Sequence, residues 1–146
     1  LSVTGANFSG VSLGRPALAG FGAVAQMQMN VQALRDKLEE ALDGAVIFGR
    51  GVARLPNTTC FAFPGMNAET MLMAFDLEGI AVSSGSACSS GKVAKSHVLA
   101  AMGIKPEISQ AAIRVSLGWN TTDDNIDHFI AAWRKIRDRH KARAAA

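Results

Sequence analysis

The sequence predicts an α/β or α+β layer, with a few short strands covered by helices. A long stretch after Pro16 carries apolar residues at three- and four-residue steps. Short apolar or alternating runs recur at Ala45–Phe48, Thr58–Phe63 and Ala112–Leu117. Capping residues and glycines punctuate the segments between them.

Residues 1–15 are rich in Ser, Thr and Gly, show no clean period and read as an irregular opening segment. Pro16 suits a first helical turn. Leu18, Phe21, Ala25, Met27, Val31, Leu34, Leu38 and Leu42 then mark one apolar helix face to about Asp43, and Gly44 suits a C-terminal cap. Ala45–Phe48 is a short strand, and Thr58–Phe63 is a second beyond the Pro56-Asn57 turn. Asn67 caps a helix that buries Met71, Leu72 and Phe75 and ends at Gly79. Ile80–Val82 is predicted as a third strand. Ser96 caps a helix with Val98, Leu99 and Met102 that stops at Gly103. Ala112–Leu117 alternates Ile113, Val115 and Leu117 with Arg114 and Ser116, as a strand with one buried face does. Thr122, followed by Asp123 and Asp124, caps a last helix with the stripe Ile126, Phe129, Ile130 and Trp133. Its basic end suits the negative helix pole.

Composition excludes several classes. With 146 residues and 49% hydrophobic content, the chain can bury an ordinary core and is not a disordered tail. No uncharged apolar run reaches the roughly 18 residues a membrane span needs. The net charge of +3 is mild, and its basic cluster, Arg134 to Arg143, lacks the interleaved aromatics of a nucleic-acid platform. Cys60 and Cys88 have no zinc-type spacing, so no metal is expected. The expectation is two free thiols in a reducing, cytoplasmic compartment. Residue 1 is Leu, which suggests that the chain begins inside a longer polypeptide.

Some motifs fail on context. Gly20-Phe-Gly22-Ala-Val-Ala25 fits a dinucleotide pattern but follows a helical period instead of a strand. Gly85 to Gly91-Lys92 has the wrong spacing for a phosphate loop, and Val93 follows where Ser or Thr belongs. Asp123 and Asp124 are capping residues, while His128 and His140 lack spaced metal partners.

Cys88 differs from Cys60. Cys60 sits between Thr59 and Phe61, like a core cysteine. Cys88 lies within nine consecutive small residues, Ser83–Gly91, with Lys92, Lys95 and His97 close behind. Positive neighbours favour a thiolate, the nucleophilic form. Composition alone leaves two readings level: a reactive thiol on an adaptable loop, or an incidental cysteine in a connector.

The wording of the chain adds a resemblance. Arg54-Leu-Pro-Asn-Thr58, Phe63-Pro-Gly65, Asp76 through SSGSACSSG to Gly91, Ser96-His-Val-Leu99, Gly103, Ile113-Arg-Val-Ser-Leu-Gly118 and Thr121-Thr122 follow in order. The series resembles the C-terminal part of cysteine desulfurases, pyridoxal-phosphate (PLP) enzymes of the class V aminotransferase family. The group with the long active-site loop, used in iron–sulfur cluster assembly, is the most similar. The resemblance covers about residues 50–137; residues 1–45 match only loosely.

The resemblance implies that residues 16–146 are the small C-terminal domain of a fold-type-I PLP enzyme. Such a domain has a short, mainly antiparallel sheet covered by helices, and the large PLP domain would lie elsewhere. It also implies a homodimer that converts L-cysteine to L-alanine. Cys88 would take the sulfur as a persulfide for an acceptor or scaffold protein, and Arg114 would bind the substrate carboxylate. Thr4, in an approximate match, would reach the partner subunit's PLP phosphate. The family's Schiff-base lysine follows a Ser/His-rich stretch, and none of Lys37, Lys92, Lys95, Lys105, Lys135 and Lys141 stands in that context. The chain alone is therefore expected to lack the cofactor site. Two alternatives stay open: another class V lyase or aminotransferase, and a non-enzymatic persulfide carrier or assembly subunit.

Overall fold

The structure, a computed structural model, describes residues 15–84 and 96–145, with side chains from 26 onward. Thr4, Cys88 and the glycine-lysine pair Gly91-Lys92 lie outside the described residues, as do the side chains of Leu18, Phe21 and Ala25.

Helix α1 (Arg15–Glu40) leads into β1 (Val46–Ile47) and β2 (Thr58–Ala62). Helix α2 (Ala68–Leu77), β3 (Ser83–Ser84), α3 (His97–Ala101), α4 (Pro106–Ser109), β4 (Ala112–Ser116) and α5 (Asp123–Ala144) follow. The strands form one sheet in the order β1-β2-β4-β3, and each neighbouring pair is antiparallel. The expected layer of short strands under helices is thus present.

Alternation along the two central strands divides the molecule. Thr59, Phe61, Ile113 and Val115 point to one face and are buried. There they meet Leu38 and Leu42 at the α1 end, Met71 and Phe75 of α2, and Ile126, Phe129, Ile130 and Trp133 of α5. Trp133 stands edge-on to Phe61 and Phe63, with ring centroids 5.4 and 5.3 Å apart, an arrangement that adds electrostatic attraction to area burial. A smaller cluster of Phe48, Ala62, Leu99, Ala111 and Ala112 lies on the opposite face.

Most ends are closed by the residues expected to close them. Asn67 Oδ1 accepts from the Thr70 amide at 2.7 Å, and Ser96 Oγ accepts from the Leu99 amide at 3.3 Å. Thr122 and Asn125 form a reciprocal capping box at the start of α5. Gly44 adopts φ +77 where the chain leaves α1, in the left-handed region, and a Cβ there would stand 3.2 Å from Phe63. Replacing Thr122 by alanine should lower stability by about 1 kcal/mol, read as a shift of the urea midpoint at unchanged slope.

Several expectations shift. The third strand is Ser83–Ser84, not Ile80–Val82. The Ile80 amide is taken by Phe75 O at 2.9 Å to close α2, so Ile80 and Val82 pack against the core without joining the ladder. Met27 is exposed, because residues 26–30 of α1 stand clear of the core and contact begins at Val31. Val98 and Met102 are exposed too; in a five-residue helix only Leu99 is buried. Helix α1 passes through Gly20–Ala25, so the dinucleotide pattern lacks the strand and turn it needs. Helix α4, opened by Pro106, has no counterpart among the expected elements.

Candidate functional site

The site lies on the face of the sheet away from α1, α2 and α5. Even-numbered positions of β2 and β4 point there, which puts Cys60 and Arg114 on that side. The two residues are direct partners in the β2–β4 register. A cavity of about 370 Å³ opens over them, lined also by Phe48, Arg54, His97 and Leu99.

Its two guanidinium groups are held differently. Arg54 spends both terminal nitrogens on the buried Glu39 carboxylate, at 2.6 Å each. Glu39 also accepts from the Thr59 hydroxyl at 2.6 Å, and Arg35 lies 3.9 Å away. Burial alone would push the Glu39 carboxyl up. The hydrogen bonds from Arg54 and Thr59 and the charges of Arg54 and Arg35 outweigh it and hold the group below the usual range. Arg35 donates in addition to Leu55 O at 2.9 Å, so this polar cluster ties α1 to the Arg54-Leu-Pro-Asn-Thr58 segment. Asn57 continues the tie: its carbonyl accepts from the Leu117 amide at 2.8 Å.

Arg114 has no such anchor. It is exposed, and among the described residues no carboxylate pairs with it. On its other edge Ser83 of β3 pairs with it, and the Ser83 hydroxyl donates to Arg114 O at 3.3 Å. The backbone of Arg114 is therefore fixed from both sides, while its guanidinium has no ion-pair partner among the described residues. A guanidinium over an otherwise largely apolar cavity suits a small carboxylate, which it can take in a bidentate fork.

Cys60 departs from the expected core cysteine. It is a free, half-buried thiol and lines the cavity beneath Arg114. Burial pushes this thiol up, and the Arg114 charge opposes part of that shift. Sequence reading missed it because its bulky neighbours face the core on the other side of the strand. Strand alternation puts Cys60 on the opposite face from Thr59 and Phe61, but its pairing with Arg114 depends on the β2–β4 register.

The described residues do not fit a PLP attachment site. No lysine among them lines the cavity. Lys37 pairs with Asp123 and Asp127 at 3.0 and 2.7 Å, and Lys135 pairs with Glu78 at 2.7 Å. Among the described residues no three His, Cys, Asp or Glu side chains cluster to hold a metal ion, and no helix is long and apolar enough to cross a membrane.

The chain is 37% identical over 136 residues to a cysteine desulfurase of Cereibacter sphaeroides, covering 87% of this chain and 35% of that protein. It is 40% identical over 115 residues to cysteine desulfurase 2 of Trichormus variabilis, covering 76% and 29%. A solved NifS-like protein from Rickettsia africae superposes with a TM-score of 0.66 at 37% identity, over 76% of this chain and 29% of that one. The chain thus spans about a third of the length of the curated relatives it matches. The aminotransferase class-V profile matches residues 17–129, which contain all four strands of the sheet, and the chain belongs to that family.

Proposed function

We propose that this chain is the small C-terminal domain of a PLP-dependent cysteine desulfurase, with Cys88 as the sulfur acceptor and Arg114 as the carboxylate clamp. The observation that carries the reading is Arg114, held by its backbone on both edges, with a guanidinium unpaired among the described residues over the cavity. The segment that carries Cys88 follows β3 in the sequence, and Ser84 of β3 pairs with Ile113, next to Arg114.

The reaction is L-cysteine plus a thiol giving L-alanine plus a persulfide. The Cys88 sulfur forms a bond to the substrate sulfur, and the carbon–sulfur bond of the substrate breaks. Its electron pair stays on carbon and is protonated there, so the substrate carbon is reduced and the enzyme thiol is oxidised to the persulfide level. PLP, when bound, supplies the electron sink such a carbon needs. The lysine and ring contacts for it belong to a large domain beyond the described residues. Thr4 is proposed to reach the partner subunit's PLP phosphate in a homodimer, and an acceptor or scaffold protein for iron–sulfur assembly would take the sulfur. A reducing, cytoplasm-like compartment would keep the thiols free.

The test is a persulfide trap. The full-length protein is incubated with PLP and L-cysteine, alkylated, and its cysteines mapped by mass spectrometry, with the 146-residue chain alone as control. Label on Cys88 only in the longer form is expected. Its absence from both forms would sink the desulfurase reading and favour another class V lyase. Arg114→Ala should weaken the response to L-cysteine concentration by about 1.5–3 kcal/mol, the usual loss for a charged hydrogen-bonding group. An unchanged KM would remove Arg114 from this role.

A further inference from the structure

We infer that position 60 is a specificity-determining position of the carboxylate site: a small uncharged side chain there leaves Arg114 free for the substrate. The inference deepens the desulfurase reading, on which it rests for the identity of the carboxylate.

Cys60 and Arg114 are directly opposed in an antiparallel pair and share one face. Side chains so placed have Cβ atoms about 4.5–5.5 Å apart, within easy reach of a long guanidinium. Among the described residues, the charged or titratable groups lining the cavity besides Cys60 are Arg54, His97 and Arg114. Arg54 is already engaged by Glu39, so an anion at position 60 would meet Arg114 as its free cation. It would then occupy the fork meant for the substrate from within the chain, at the high effective concentration of an intramolecular partner. Burial, which favours the protonated thiol, keeps Cys60 from acting as that anion, even with Arg114 beside it. A bulkier neutral residue would instead intrude on the cavity floor. A small neutral residue meets both requirements, and the half-buried thiol also packs against the Phe48 and Leu99 cluster.

The decisive comparison is between two isosteres in the full-length protein, Cys60→Asp and Cys60→Asn, which differ in charge and share any packing defect. The Asp variant should show a KM for L-cysteine at least tenfold above that of the Asn variant, with the difference in KM and not in kcat. A KM ratio below threefold overturns the inference. A second readout is independent of turnover: the pH midpoint of Cys60 alkylation by iodoacetamide, mapped by mass spectrometry. Arg114→Gln should raise that midpoint by at least about half a pH unit, because the thiolate loses its neighbouring cation. If the wild type shows no turnover, the desulfurase reading fails and alkylation alone decides the coupling. An unmoved midpoint then overturns it, and a raised one upholds it.

Discussion

Replacing Cys88 by serine in the full-length protein is expected to reduce sulfur release from L-cysteine by at least about a thousandfold, or ~4 kcal/mol of barrier. PLP absorbance should be retained. The serine hydroxyl is nearly isosteric, so the fold has no reason to change. What changes is the nucleophile: a hydroxyl is rarely ionised near neutral pH, and an oxygen cannot carry the sulfane sulfur as a persulfide. Cys60 offers no bypass, because its thiol is half-buried and burial disfavours its thiolate. The same persulfide trap checks this directly. Label on Cys88 in the wild type and on no cysteine of the variant is the expected pattern. Label moving to Cys60 in the variant, or turnover persisting, would show that another group receives the sulfur. The experiment also separates the enzyme from a persulfide carrier, since a carrier acquires label only when a separate donor is supplied.

The resemblance motifs turn out to serve two purposes, and only one of them is chemical. Ser96 and Thr122 cap helices, and Asn57 closes the end of the β2–β4 pair. Arg54 anchors the buried Glu39. These contacts are local or follow one pattern, so capping signals and hydrophobic period made the elements legible. Arg114 was legible as the polar residue interrupting Ile113, Val115 and Leu117. The short β3 was not, because Ile80 and Val82 are the apolar residues while the ladder bonds fall to Ser83 and Ser84. A two-residue strand paired across some thirty positions leaves no periodic trace. The Glu39 cluster was equally hidden: Glu39, Arg54 and Thr59 look like ordinary surface residues until α1 is laid beside β2. The cavity partnership of Cys60 with Arg114 depends on the same long-range register, which no local pattern encodes.

That hidden cluster carries the second large effect. Replacing Glu39 by alanine is expected to lower stability by roughly 3–5 kcal/mol, the usual cost of removing one partner from a buried ion pair. Arg54 would keep its charge with 19% of its side chain exposed, and Arg35 only 10%. The Thr59 hydroxyl would lose its acceptor as well. Glu39→Gln keeps the volume and one acceptor and isolates the charge. The pH dependence has a defined sign. The folded-state carboxyl is held below its ordinary value near 4.5, so its contribution is fully present above that value. It is lost as pH falls through the lower folded-state value, because the unfolded chain binds the proton first. In urea titrations at a series of pH values, the gap between the wild type and Glu39→Gln should be constant near neutrality and narrow below about pH 4.5. A gap independent of pH would mean that the two proteins differ in packing and not in the ionised carboxylate. Because Arg54 borders the carboxylate cavity, its freed guanidinium in the alanine variant should offer the L-cysteine carboxylate a second, unproductive position, which lowers kcat in the full-length protein without raising KM.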